Sequence, residues 1–260
     1  MEIIGLSFSF IFGLCVGSFL NVCIYRIPNN LSIIKPDSFC PRCQTAIKWY
    51  HNIPVLSYIF LRGKCAYCGQ KISLEYPLIE LVTGILTSIF FLKWHFLPFW
   101  FLFSIIACYL LIAVSVIDFK TMLISDFFSY SIAIIGLIAS QFNPNFYGDW
   151  YQRLLNSLSG IFFGAGFIWF LAFVGKLIYK KDAVGDGDMF LLGAIGSFMG
   201  YKGLISVIII ASFIGSLYGV GLIIAKKADR VSYMPFGPFL ALGCIVNLYN
   251  YWDFIAFISS

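Results

Sequence analysis

The sequence predicts an all-α polytopic membrane protein with about eight transmembrane helices and a small cytoplasmic zinc-binding loop domain. Three observations carry this. The 260 residues are 60% hydrophobic and 11% charged, with a mean hydropathy of +0.91, whereas soluble domains average about 25% charged. Apolar runs recur at about 20 residues, the length a helix needs to cross about 30 Å of hydrocarbon. Finally, much of the polar sequence is gathered into one insert that holds two Cys-x-x-C pairs.

The strongest spans are 3–25, 96–117, 203–225 and 231–252, with weaker ones at 78–92, 122–142, 154–174 and a short Gly-rich stretch at 189–200. The first lacks the basic leading region of a secretory signal and exceeds the usual core of about 7–15 residues, so it reads as a permanent helix. Its Gly13, Gly17 and Ser18 are spaced to let a second helix approach closely. Three segments follow: a first transmembrane helix (1–25), a cytoplasmic tetracysteine domain (26–76) and a membrane-embedded remainder (77–260).

Basic residues orient the chain. Arg26, Lys35, Arg42, Lys48, Arg62, Lys64, Lys71, Lys120, Lys176, Lys180, Lys181, Lys226, Lys227 and Arg230 fall on one side of the expected spans, and only Lys93, Arg153 and Lys202 on the other. The positive-inside rule makes the first side cytoplasmic and puts both termini outside. A net charge of +5 then calls for anionic lipid of the bilayer as partner and for no nucleic acid.

The polar insert, about 26–75, is too long for a simple connection. Cys40 and Cys43 form one knuckle and Cys65 and Cys68 another, separated by 21 residues. Four thiolates at that spacing can close a tetrahedral zinc site, and a loop with little core would draw folding energy from the metal. Disulfides or a redox pair are the competing readings, and a cytoplasmic location disfavours stable disulfides. Cys15, Cys23, Cys108 and Cys244 sit in apolar runs and read as packing residues. His51 reads as an ordinary polar loop residue.

Acidic residues number 12, and a carboxylate near hydrocarbon tends to mark function. Asp118 ends the run 96–117, and Asp188 opens the short span after Gly185 and Gly187; both fall at the cytoplasmic edge. Two adjacent carboxyls can divide peptide hydrolysis, one taking a proton from water while the other polarises the scissile carbonyl. The glycines would allow unusual backbone angles and close approach of an extended substrate, forming an active-site loop. Each aspartate alone is equally well a solvated helix boundary, the reading that suits Asp126, Asp182 and Asp186. Glu80 lies inside a span, where it could bind a substrate amine or pair with a basic side chain.

Along nearly its whole length the chain resembles the type IV prepilin peptidases, bifunctional enzymes of the GxGD aspartic class. The resemblance runs through Gly17-Ser18-Phe19-Leu20-Asn21-Val22, the tetracysteine stretch with Trp49-Tyr50-His51-Asn52-Ile53-Pro54 between its knuckles, Tyr76-Pro77 with Glu80, Gly185-Asp186-Gly187-Asp188 and Pro235-Phe236-Gly237-Pro238. It implies that Asp118 and Asp188 are catalytic. It further implies cleavage of the basic leader of a prepilin or pseudopilin, after a Gly, at the cytoplasmic face of a bacterial inner membrane. Members with the tetracysteine domain also methylate the new N-terminus with S-adenosylmethionine, whose binding residues the sequence leaves unknown. Two departures stand out: Ser125 where the family usually has Pro, and Phe190 where it has Lys. Competing readings are a presenilin-like protease cutting within the bilayer, against which the zinc loop speaks, and a non-enzymatic assembly or transport protein with a docking loop.

Overall fold

The computed structural model describes residues 2–179, 185–227 and 234–254. Among them the regular structure is helical, with only two isolated β-bridges, Phe39 to Ala46 and Lys64 to Lys71. The chain forms two compact units, Met1–Phe96 and Leu97–Ser260.

In the first unit, α1 (Glu2–Arg26) packs on α3 (Glu75–Trp94). Small residues allow it: a Cβ on Gly13 would lie 2.8 Å from Gly84 Cα, and one on Gly17 would lie 2.7 Å from Glu80 Cα. Without side chains between them the backbones approach closely, as membrane helices do when dispersion rather than hydrophobicity joins them. Thr83 and Thr87 are buried in this seam, and their hydroxyls donate back to Ile79 O and Thr83 O at 2.6 and 2.7 Å. They therefore need no partner across it.

The polar insert between these helices contains a single turn Trp49–His51 and the short α2 (Leu56–Phe60). Of residues 27–74 only Cys40, Ser57 and Gly63 are buried, so the expected lack of a hydrophobic core holds. Arg26, read from the sequence only as a topology charge, also has a structural part. It is 5% exposed and donates to the carbonyls of Ser32, Pro36 and Asp37 at 3.0, 2.6 and 3.3 Å, anchoring the loop to the end of α1.

The second unit comprises α4 (Pro98–Thr121), α5 (Asp126–Ala139), α6 (Trp150–Tyr179), α7 (Asp186–Ile224) and α8 (Gly237–Tyr249). Among the described residues five helices, namely α1, α3, α4, α6 and α7, are long and apolar enough to cross a membrane; α5 and α8 are shorter. Large apolar side chains such as Phe162, Trp169, Phe170 and Phe173 point outward from α6, an arrangement that water would penalise and lipid would not. The chain is thus an all-α multi-pass membrane protein.

Several boundaries moved. The run 96–117 continues as helix through Asp118 and stops only at Met122, whose left-handed φ of 53° ends α4. The spans expected at 189–200 and 203–225 are one helix broken at Gly200, with φ 62° and ψ 176°. The last span shrinks from 231–252 to Gly237–Tyr249, its residues 231–233 lying outside those described. Pro238 sits in the first turn of α8, where its missing N–H costs no helical bond.

The Gly200 break frees carbonyls that no helical N–H reaches, and inside a membrane such groups need other donors. Ser157 Oγ donates to Ser197 O at 2.7 Å and Asn143 Nδ2 to Phe198 O at 2.8 Å, both fully buried, while Tyr251 Oη reaches Met199 O at 3.4 Å. Asn143→Ala and Ser157→Ala should each leave a buried carbonyl unpaired, costing about 1–3 kcal/mol. A lowered unfolding temperature in detergent would register the loss, and an unchanged one would mean the break is satisfied otherwise.

Candidate active site and metal centre

The two knuckles are geometric repeats. In the first, Cys40 N donates to Thr45 O at 3.0 Å, Gln44 N donates to Cys40 O at 2.8 Å, and Gln44 has φ 57°. In the second, Cys65 N donates to Gln70 O at 2.8 Å, Gly69 N donates to Cys65 O at 3.0 Å, and Gly69 has φ 70°. Each turn needs a left-handed residue four places after its first Cys, which Gly69 supplies freely and Gln44 does not.

These turns gather Cys40, Cys43, Cys65 and Cys68 so that all four sulfurs lie within 4.8 Å of one another, a set that could hold a metal ion. The Cys40 and Cys68 sulfurs are 3.9 Å apart, and no cysteine is in a disulfide. The Thr45 hydroxyl and amide pull the Cys43 thiol down to about 6, with help from Cys40 and Cys68. Cys65 is lowered by the amides of Cys68 and Tyr67. Cys43 and Cys65 are therefore biased toward the thiolate that metal ligation requires, whereas Cys68, lowered by the Gln70 amide but raised more by desolvation and by its hydrogen bonds with Cys65, Cys43 and Cys40, is pushed up to about 11. Of the other thiols, Cys23, Cys108 and Cys244 are buried as expected, whereas Cys15 is exposed on α1.

In the second unit Asp118 lies in the last turns of α4 and is 4% exposed. Its Oδ2 accepts the buried N–H of Gly237 at 3.0 Å. That amide is the first of α8, one of the donors a helix N-terminus cannot satisfy internally, so a carboxylate is a natural partner there. A side chain on Gly237 would collide, since its Cβ would stand 2.7 Å from Asp118 Oδ2 and 3.2 Å from Ile124 Cδ1.

Asp188 lies in the first turn of α7 with its N–H donating to Gly185 O at 3.2 Å. Its Oδ1 is buried without a hydrogen-bond partner, and its carboxyl interacts electrostatically with Asp118. The structure thus brings together two acids that stand 70 positions apart in sequence.

Gly185 and Gly187 do not behave as expected. Gly185 has φ −75° and ψ 145°, open to any residue, and Gly187 is helical. What Gly187 provides is room: a Cβ there would lie 2.9 Å from Ile124 Cβ, so the start of α7 presses against the α4–α5 link. Asp126 and Asp186 are exposed, and Asp182 lies outside the described residues. Glu80 has no basic partner among the described residues and instead accepts the Val55 N–H at 2.7 Å.

The two departures from the usual pattern have local accounts. Ser125 caps α5 with φ −73° and makes no side-chain cap bond, so it holds the angle that Pro would impose. Phe190 lies against Tyr130 of α5, with ring centres 5.8 Å apart and ring planes tilted by 55°. Gly237 and Ile124 are the site neighbours that the sequence reading did not single out. The available signal was a Gly-Pro pair opening an apolar helix.

Comparison with known proteins supplies the context for this geometry. Residues 11–95 match the bacterial peptidase A24 N-terminal domain and residues 105–220 match the type IV leader peptidase family. The chain is 34% identical to a prepilin leader peptidase/N-methyltransferase of Neisseria gonorrhoeae, over 89% of this chain and 86% of that protein. It is 35% identical to a type 4 prepilin-like proteins leader peptide-processing enzyme of Escherichia coli, over 91% of each. A prepilin leader peptidase/N-methyltransferase of Pseudomonas aeruginosa is 32% identical over 88% of this chain and 85% of that protein. No solved structure matches the chain.

Proposed function

The chain belongs to the type IV leader peptidase family, and on that premise we propose that it cuts the leader from prepilins or pseudopilins with Asp118 and Asp188 and then N-methylates the new terminus. The observation that carries the cleavage reading is the buried, unpartnered Oδ1 of Asp188 within electrostatic reach of Asp118. A buried carboxyl oxygen without a donor is costly unless a substrate, a water or a shared proton completes it.

The Gly237 N–H occupies Oδ2 of Asp118, leaving Oδ1 with free capacity for a proton. Two such carboxyls can hold one proton between them. The ionised member accepts a proton from the attacking water as its oxygen bonds to the scissile carbonyl carbon. The protonated member donates to the carbonyl oxygen as negative charge develops there. On collapse the C–N bond breaks and the leaving amine takes a proton from the pair. Gly185 just before α7 and Gly187 in its first turn bring no side chains beside Asp188.

The four cysteines suit zinc. A tetrahedron with Zn–S bonds of about 2.3 Å has edges of about 3.8 Å, close to the 3.9 Å between the Cys40 and Cys68 sulfurs. We assign 26–76 as the zinc domain, 1–25 as its leading helix and 77–260 as the peptidase body. The excess of Lys and Arg between spans supports placing the zinc domain and both aspartates on the cytoplasmic side of the inner membrane. S-adenosylmethionine, when bound, supplies an activated methyl group on a sulfonium.

The test is to incubate detergent-purified protein with a prepilin and labelled S-adenosylmethionine, following leader loss and methyl incorporation separately. Both should occur, with methylation dependent on prior cleavage because the acceptor amine does not exist before it. If pre-cleaved substrate gains no methyl while cleavage proceeds, the chain is a peptidase alone.

A further inference from the structure

The tetracysteine lobe carries an apolar face that its own fold does not use. In α2, Leu56, Ile59 and Phe60 stand at i, i+3 and i+4, so they share one side of the helix. They are 51%, 61% and 79% exposed. The other side, with Ser57, Tyr58 and Leu61, turns to a cavity of about 440 Å³ that His51 and Glu80 also line. Ser57 Oγ donates to Tyr50 O at 3.1 Å and accepts the Ile53 N–H at 2.9 Å, which ties the preceding turn to α2. That turn holds Trp49, 80% exposed. Four large apolar side chains pointing outward from so small a lobe mark a contact surface.

The depth of α2 says what covers this face. Val55, the residue before α2, donates its N–H to the Glu80 carboxylate at 2.7 Å. Glu80 lies five residues into α3, about 7.5 Å along the axis at about 1.5 Å per residue. With 20 residues, α3 is about 30 Å long, the thickness of the hydrocarbon alone. Helix α2 therefore begins where headgroups give way to acyl chains, at a level where Leu78 and Val82 of α3 are themselves exposed. Charge agrees with depth. Residues 53–61 carry none, and Arg62 and Lys64 follow at once, both exposed. Apolar and aromatic side chains edged by basic ones suit a membrane interface, with rings among the upper acyl chains and cations at the phosphates. A second copy of the chain would instead bring the same Arg62 and Lys64 up to this edge, a like-charge contact that lipid phosphate avoids.

We propose that Trp49, Leu56, Ile59 and Phe60 dip into the adjacent phospholipid leaflet and hold the tetracysteine lobe against it. The lobe then has a membrane attachment of its own besides the two helices, α1 and α3, between which it is strung. The attachment is independent of cleavage and of methyl transfer, and it rests only on α1 and α3 crossing the bilayer.

The experiment is photocrosslinking of the full chain in vesicles of phosphatidylethanolamine and phosphatidylglycerol. Trp49→benzoylphenylalanine and Phe60→benzoylphenylalanine each put a photoreactive ring where an exposed ring already stands, and an unchanged unfolding temperature checks that the fold tolerates it. Phe170→benzoylphenylalanine, on the outward apolar run of α6, serves as the lipid benchmark. Irradiation should join phospholipid to positions 49 and 60 at yields within about threefold of that benchmark, as expected of side chains seated about 5–10 Å into the interface. Because the two labels sit on separate turns, either one carries the test if the other destabilises the lobe. Phospholipid yields below that range at both positions, with water taking the label, would place the face in solvent and overturn the proposal. Adducts to a second copy of the chain, or to an added prepilin in place of lipid, would overturn it as well and give the face to that protein.

Discussion

Asp118→Asn and Asp188→Asn should each reduce leader cleavage by about a thousandfold or more, in protein that still folds and inserts. Asn keeps the shape of Asp and can still accept the Gly237 N–H that Asp118 Oδ2 receives at 3.0 Å, so the α4–α8 contact survives. What it cannot do is take the proton of water or share one. The double variant should lose little more than either single one, because either change disables the same unit. Asp126→Asn and Asp186→Asn, which alter exposed side chains, should keep substantial activity. Cleavage by the unaltered chain should show a bell-shaped pH profile whose limbs belong to the pair jointly. Gly237→Ala should also impair cleavage, since its methyl would stand 2.7 Å from Asp118 Oδ2. Near-normal cleavage by a well-folded Asp118→Asn or Asp188→Asn chain would remove the mechanism.

Much of this was readable from residue types. Apolar runs located the helices because the bilayer requirement is a length and composition rule, and the duplicated knuckles announced a four-sulfur cluster because zinc spacing is local. Helix ends were harder to read. Asp118 looked like the terminus of a span because it is charged, yet the helix runs on to Thr121 and buries it. A charge marks a helix end only if nothing in the fold can partner it, and here the partner is an amide 119 positions away, at Gly237. Such a backbone donor has no signature in side-chain chemistry. For the same reason Gly187 was read for backbone freedom when its role is clearance for Ile124. His51 read as an ordinary loop residue and Glu80 as a partner for a substrate amine or a basic side chain; that both line one cavity is a property of packing, which neither residue's sequence neighbours show.

The second large effect expected is on the tetracysteine lobe. Metal analysis of the purified chain should find about one zinc per molecule, and its removal should unfold residues 27–74 while leaving the helices in place. The lobe buries only Cys40, Ser57 and Gly63 of those residues, so apolar burial gives it little stability. A structural zinc contributes about 10–16 kcal/mol of apparent binding energy in small peptides, as much as the whole folding stability of an ordinary domain. Chelation, or replacement of all four cysteines by Ser, should therefore open the lobe to limited proteolysis at exposed sites such as Lys64 and Lys71. The α1–α3 seam should persist, because Gly13, Gly17, Gly84 and the self-bonded threonines make it without help from the loop. Reducing agent alone should change nothing, which separates a zinc cluster from a disulfide framework. Zinc retained at full stoichiometry by the four-Ser chain would place the metal elsewhere.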